Sequence, residues 1–345
     1  MSPLPSALPT SRIPDPATAP PLRWGILAPG GIAGSFVTAL AAHTRQQVVA
    51  VGSRSAERAG AFAGRHGIER AYGSYPELVA DPGVDVVYVA SPHSEHRAHA
   101  LAAIAAGKHV LVEKSFTRNA SEAAEVIGAA RAAGVLAMEA MWARYLPQTD
   151  VVRQLLADGV LGQIATVLAD HGQYFVPNPA HRLFNPDLAG GAMLDLGIYP
   201  VSFASFALGT PETVTAIGSL TETGVDAQVS IVLTVGAAQA TLNTTLLGKT
   251  PTTAAICGTA ARVELSGSFY APGIVTVTAV DGTRLVRDQD PITGGGGLSY
   301  EAAELARCVA AGMTESPLLP WHETLSIMRT MDEVRRQVGV VLPGE

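Results

Sequence analysis

The chain has 345 residues, 48% of them hydrophobic and only 15% charged, with a formal net charge of -7. That length can bury a large core and favours two domains over one. The acidic balance leaves no basic surface for sequence-independent nucleic-acid binding, so small-molecule chemistry is expected and no nucleic-acid partner is.

Residues 1–21 carry seven prolines among Ser, Ala and Thr, a composition expected to give an extended or disordered tail. This stretch has neither a twin arginine nor an apolar run of signal length. No stretch elsewhere reads as the roughly 18 charge-free apolar residues of a membrane span, so no membrane partner is expected. Cys257 and Cys308 stand in unrelated contexts without metal-like spacing, which fits a reducing compartment and a cytoplasmic location.

From Leu22 to about residue 146, short apolar runs alternate with Ala-rich stretches, the pattern of βαβ units in a parallel sheet. Strands are predicted over 23–27, 47–52, 84–89, 109–112 and 136–139, with helices over 32–43, 55–66, 94–106 and 120–133. A helix over 149–158 opens the second domain, 147–345. Strand-like runs follow at 164–175, 212–220, 227–235, 239–247, 252–257, 261–265 and 274–279. Such a succession implies a large, open, mainly antiparallel sheet. Helices over 298–311 and 321–338 close the chain, the last placed to pack back on the first domain. The Gly294 to Gly297 run reads as a mobile loop. The predicted fold class is α/β: an N-terminal doubly wound Rossmann sheet followed by an α+β domain.

Between the first strand and helix lies a Gly-rich turn, Ala28-Pro29-Gly30-Gly31-Ile32-Ala33. A backbone bare of side chains there lets a pyrophosphate approach the helix N-terminus, whose amides favour anions. Ala28 takes the place of the first glycine of the G-x-G-x-x-G/A pattern, Gly30 the second and Ala33 the third. The second strand ends in Gly52-Ser53-Arg54-Ser55. An acidic residue there would select NAD. Ser53 and Arg54 offer hydroxyl and positive charge instead, so NADP(H) is preferred over NAD(H).

The third long strand leads into Ser91-Pro92-His93-Ser94-Glu95-His96, at the carboxyl edge where ligands bind. Pro92 and His93 are placed to shape the floor under a nicotinamide, and His96 either faces the substrate or packs within its helix. The i, i+3, i+6 spacing of His93, His96 and His99 turns the outer two apart, so no metal is expected. The fourth strand ends in Glu113 and Lys114, either a charged strand end or a lysine that meets substrate. Asp195 and Tyr199 are four apart after Gly190-Gly191, so on a helix they share a face.

The segments AGKHVLVEKS (Ala106 to Ser115), APGGIA (Ala28 to Ala33), MEAMWARYLP (Met138 to Pro147) and RLFNPDLAGGAMLDLGIYP (Arg182 to Pro200) together resemble the family of glucose-fructose oxidoreductase and inositol dehydrogenase. Within it they are most similar to the dimeric dihydrodiol dehydrogenase and NADP-dependent D-xylose 1-dehydrogenase branch. The resemblance implies a Rossmann domain plus an open-faced sheet domain that pairs into a homodimer or homotetramer. It implies Glu113 and Lys114 as the family's Glu-Lys-Pro motif, with Lys114 near the nicotinamide, and Asp195 and Tyr199 at catalytic positions. Trp142 and Arg144 match substrate-pocket residues of that branch. Ser115 replaces the family proline, so the backbone there is expected to differ, an easy cis peptide having been lost. Tyr174 adds an aromatic face suited to a sugar, polyol or diol.

Hydride transfer at a hydroxyl-bearing carbon needs a base at that hydroxyl. Tyr199 is assigned the proton exchange, Lys114 the polarisation of the oxygen and Asp195 their orientation. The alternative is a non-catalytic NADP-binding regulatory protein of the same fold, which would have lost these three residues.

Overall fold

The computed structural model describes residues 4–345. The chain forms two compact units. The first comprises Pro14–Tyr145 and Gly294–Leu325; the second comprises the described residues up to Ile13, Leu146–Thr293 and Ser326–Glu345.

The first unit holds six strands, β1 (Arg23–Leu27), β2 (Gln47–Gly52), β3 (Arg70–Tyr72), β4 (Val86–Val89), β5 (His109–Glu113) and β6 (Ala137–Ala140). They pair in parallel in the order β3-β2-β1-β4-β5-β6, with Ile26 beside both Val51 and Tyr88. Every residue of β4 is buried, as a sheet covered on both faces requires. The order reverses between β1 and β4, and the carboxyl ends there border the ligand crevice of a doubly wound sheet. The helices between the strands are α1 (Gly31–His43), α2 (Ala56–His66), α3 (Tyr75–Ala80), α4 (His96–Ala105) and α5 (Ala120–Ala133). Ser55 caps α2 by accepting from Arg58 N–H, and Gly67 closes it in the left-handed region at φ 67°.

The second unit begins with α6 (Pro147–Ala157) and β7 (Ile164–Gly172). After α7 (Ile198–Leu208) come β8 (Thr213–Leu220), β9 (Asp226–Val235), β10 (Ala238–Thr245), β11 (Ala254–Gly258), β12 (Ala261–Leu265), β13 (Val275–Ala279) and β14 (Arg284–Arg287). The sheet order is β14-β13-β12-β11-β7-β10-β9-β8, antiparallel except for the β7–β10 pair. Alternation along β9 and β10 buries one side, and α7 packs over β7, β10 and β11. On the open side Leu168 is 47% and Ile217 75% exposed.

Three expectations are corrected. Residues 4–21 are not a loose tail. Arg12 forms an ion pair with Asp150 at 2.8 Å, Thr10 accepts from Gln154, and Pro16–Thr18 forms a 3-10 turn whose neighbours Asp15 and Thr18 accept from Arg307. Prolines leave carbonyls without competing N–H groups, and these side chains supply the donors. The helix expected over 298–311, α8 (Leu298–Ala310), belongs to the first unit, because its apolar face (Ala302, Ala303, Ala306) is buried against α1 and that 3-10 turn. Gly294–Gly297 is an ordered 3-10 turn packed on α1.

The helical run Pro186–Leu208 is long and apolar enough to cross a membrane, but 83% of its apolar window is buried inside the protein, as suits a core helix. The closing helix, α9 (Trp321–Val338), gives its first residues to the first unit, where Trp321 Nε1 donates to the Ala137 carbonyl at 2.9 Å.

With Asp150 holding the Arg12 guanidinium, trypsin is expected to cut slowly after Arg12. Asp150→Asn should accelerate that cleavage several-fold, measured by mass spectrometry of timed digests; equal rates would mean that the segment is not held by this pair.

Candidate active site

In the first unit the Gly-rich turn joins β1 to α1. Ala28 lies at φ 69°, the left-handed conformation that a first glycine would take, and its N–H donates to the Gly52 carbonyl at 3.1 Å. Gly30 precedes α1 with no side-chain cap, and a Cβ built on Gly30 or Gly31 meets nothing within 4 Å. Ile32 is exposed beside them. The amide end of a 13-residue helix thus opens onto bare space, and the residues fit a dinucleotide pyrophosphate. At the end of β2, Ser53 is buried and accepts from Ser55 N–H at 3.3 Å, while Arg54 is exposed beside Tyr75. Burial raises the Tyr75 phenol, against the opposing charge of Arg54.

The loops after β4 and β5 are tied together by imidazole rings. His93 Nε2 lies 3.2 Å from the Lys114 carbonyl, and His96 Nδ1 lies 2.9 Å from the Ser115 carbonyl. On its other side His96 Nε2 lies 2.8 Å from the carbonyl of Ser91, itself buried. Donation to both carbonyls would need an imidazolium, but burial is the larger effect and holds the His96 pKa down to about 4. His96 is therefore not a substrate residue: it is buried and braces the two loops. Pro92 starts the turn that carries His93. The Lys114–Ser115 peptide is cis despite the missing proline, which corrects the expectation that this geometry is lost.

Beneath Lys114, Glu113 accepts the Tyr88 hydroxyl and, through Oε2, the Lys114 N–H at 3.2 Å. Two more buried carboxyls stand nearby. Burial pushes Glu139 up to about 7, and burial together with the charge of Glu113 pushes Glu301 well above the usual carboxylate range. Arg144 is buried and pairs with Glu323 at 2.7 Å, so it braces the start of α9 instead of lining a substrate surface. Trp142 is half-buried in the same 3-10 turn.

In the second unit Asp195 lies in a π-helical turn, Met193–Gly197, that runs into α7 at Ile198. Wide turns of this kind recur at functional sites. Asp226, 1% exposed, accepts the Met193 N–H at 2.5 Å and caps the turn; burial raises its pKa to about 6. Gly191 is at φ 113°, and a Cβ there would lie 2.2 Å from Asp226 Oδ1, so no side chain fits.

Both Asp195 oxygens accept from Arg182, at 3.0 and 3.1 Å, in a fork that fixes the carboxylate. The Tyr199 ring is stacked on Tyr270, with centroids 4.2 Å apart at 24°, and its centroid is 5.4 Å from that of His171. Gln173 donates its amide to His171 Nε2 at 3.0 Å, which leaves the proton of the neutral ring on Nδ1. Tyr174 is 62% exposed in the segment after β7.

Two family profiles match this chain: the oxidoreductase family with an NAD-binding Rossmann fold over residues 22–141, and the GFO/IDH/MocA C-terminal domain over 149–264. The chain belongs to the GFO/IDH/MocA oxidoreductase family. It is similar to the trans-1,2-dihydrobenzene-1,2-diol dehydrogenases of Xenopus laevis (38% identity, 93% of this chain, 99% of that one) and Homo sapiens (37%, 94% and 99%). Among solved structures it resembles a 3-ketoreductase from Actinomadura kijaniata in complex with NADP and TDP-benzene (28% identity, TM-score 0.79, 92% of this chain and 98% of that one). NAD(P)-dependent hydride transfer is the chemistry of this GFO/IDH/MocA protein.

His171, Arg182, Asp226 and Tyr270 join the half-site around Tyr199 without having been anticipated. Tyr270 lies in a loop with no periodicity, and Arg182 carries no signal until Asp195 is beside it. Asp226 is legible only from Gly191, whose missing side chain makes room for its carboxylate.

Gly191→Ala combines a left-handed φ with a clash against Asp226 and should cost roughly 3 kcal/mol or more by denaturant unfolding. Glu139→Gln tests the buried carboxyl. A folded pKa near 7 against the ordinary 4.5 means that the folded protein holds more protons, so Glu139 withdraws stability as pH rises from 4.5 to 7. The variant lacks that loss. Relative to the parent it should gain on the order of 3 kcal/mol across that window, and a flat difference would show that Glu139 titrates normally.

Proposed function

We propose that this protein oxidises a CH–OH carbon of a dihydrodiol, polyol or sugar, or reduces the matching carbonyl, with NADP(H) preferred over NAD(H). The reading rests first on Tyr199, a buried phenol beside an aspartate whose two oxygens are committed to Arg182. When bound, the nicotinamide takes or supplies the hydride. Tyr199 exchanges the hydroxyl proton. Lys114, on the loop braced by His93 and His96, polarises the reacting oxygen. Asp195, held by Arg182, keeps the Tyr199 turn oriented.

The names of the relatives make a trans-dihydrodiol the first substrate to assay. The exposed charge of Arg54 at the end of β2 supports the preference for a 2′-phosphate. Two unpaired cysteines, Cys257 and Cys308, fit a reducing, cytoplasmic setting.

The open side of the second unit's sheet supports pairing with a second copy of the chain. Leu168, Thr241 and Val232 form one cross-strand row, and a groove of about 580 Å³ there is lined by Asp170, Glu264 and Arg284 among others. Ile217→Glu should therefore shift the protein toward monomer in light scattering.

In a panel of dihydrodiols, aldoses and polyols with each cofactor, the nicotinamide absorbance should change for at least one class, faster with NADP. Tyr199→Phe and Lys114→Met should each lower kcat by about 10²–10⁴-fold with NADPH binding retained, whereas near-normal turnover in both would overturn the assignment. Arg54→Ala should lower the NADP preference about tenfold, and an unchanged preference would remove Arg54 from cofactor selection.

A further inference from the structure

The turn that carries Asp195 is fastened at its start by one buried carboxylate from a neighbouring strand. Just before it, Gly190 and Gly191 donate their N–H groups to the carbonyls of Asn185 (3.0 Å) and Leu183 (2.8 Å). Met193, where the π-turn begins, donates instead to Asp226 Oδ2, from the start of β9. The amides of Ala192 and of Asp226 itself also favour the charged carboxylate. Asp195 is the middle residue of that turn, and Tyr199 follows Ile198 at the start of α7.

Among the described residues, the groups that act on Asp226 are N–H donors and one cation, Arg335 of α9. Arg335 is itself buried and divides its charge between Asp332 (2.9 Å) and Glu345 (2.7 Å). The strands on either side of β9, β8 and β10, carry no titratable side chain. The π-turn and α7 contribute Asp195, held by Arg182, and Tyr199, stacked on Tyr270. A carboxylate can accept from every donor around it, whereas a neutral acid presents a hydroxyl where amides already point and caps the turn less well. Burial is the largest influence and brings the carboxyl up to about 6.

We propose that Asp226 is a positioning residue for hydride transfer: its carboxylate holds the turn that aligns Asp195 and Tyr199, and its protonation loosens that turn and slows the reaction. The inference rests on the function proposed above and adds a control on the same site. The control is separable from loss of the fold. The folded protein holds the Asp226 proton more firmly than an ordinary aspartate at 3.8 does, so lowering the pH from 6 toward 3.8 adds stability through this group while it weakens the cap.

The test is the pH profile of kcat, with NADP and the best substrate of the panel, for the parent and for Asp226→Asn, which keeps the shape and stays neutral. The parent should lose rate below an apparent pKa of about 6. The asparagine variant should lack that acid limb and run about three- to tenfold below the parent near pH 8, in kcat with KM for NADP unchanged. A flat parent profile, a limb that persists in Asp226→Asn, or a parent-like rate in that variant near pH 8 overturns the proposal. If the variant does not fold, Glu345→Gln carries the test: Arg335 then has less countercharge, which favours the Asp226 carboxylate and should move the limb down by roughly half a unit. No movement, or movement upward, overturns the proposal. If the parent turns over no substrate, the proposed function fails on its own. Hydrogen exchange of the Met193 to Gly197 amides, corrected for intrinsic rates, then decides Asp226: protection lost below about pH 6 in the parent supports the switch, and protection that does not change with pH overturns it.

Discussion

The imidazole of His96, lodged between the carbonyls of Ser91 and Ser115, is the contact on which the first unit's half-site depends. At the carboxyl ends of parallel strands the ladder stops, and the last carbonyls lose their regular partners. A buried carbonyl without a donor is costly. The neutral His96 ring donates to one of the two carbonyls it lies between and His93 Nε2 lies against a third, and together they hold the backbone that carries Lys114. The ring is wholly buried and held neutral, so it is suited to positioning and unsuited to proton exchange near pH 7.

The second unit solves the opposite problem, unpartnered amides at a helix start, with the same kind of device. The π-turn before α7 begins in a buried region without a local cap, and Asp226 reaches in from β9 to accept the Met193 N–H. Its carboxylate needs the space a side chain at residue 191 would take, hence glycine there. Arg182 then fixes Asp195, so both polar groups of the turn are committed before a substrate arrives. Preorganisation of this kind holds the Tyr199 turn in one arrangement whether or not a ligand is bound.

Much of this architecture was legible because it repeats. Strands β1, β2 and β12 fall where apolar runs bounded by turn residues place them, and the Gly-rich turn was recognisable from its spacing alone. Legibility failed where contacts between distant segments decide the outcome. Strands β3 and β14 are short edge strands, too brief for periodicity. The helix α8 looks like any amphipathic helix, and only its burial against α1 shows which unit owns it. The proline-rich start gives no local sign that Asp150 and Arg307 will hold it. His96 is expected from sequence to face substrate or pack within its helix, and Arg144, by resemblance, to line the substrate pocket; both are buried, and burial cannot be read from spacing.

The acids beneath Lys114 show how burial can shape a site without touching the substrate. Three carboxyls, Glu113, Glu139 and Glu301, lie buried in one region of the first unit. Were all three ionised, their mutual repulsion in a desolvated region would be costly. Burial prevents that. Glu301, wholly desolvated and repelled by Glu113, is pushed well above the usual carboxylate range, and Glu139 is raised to about 7. Glu113 meanwhile has the Tyr88 hydroxyl and the Lys114 amide as donors. The apolar surroundings that make these acids expensive to bury therefore also limit the negative charge they build up in this region.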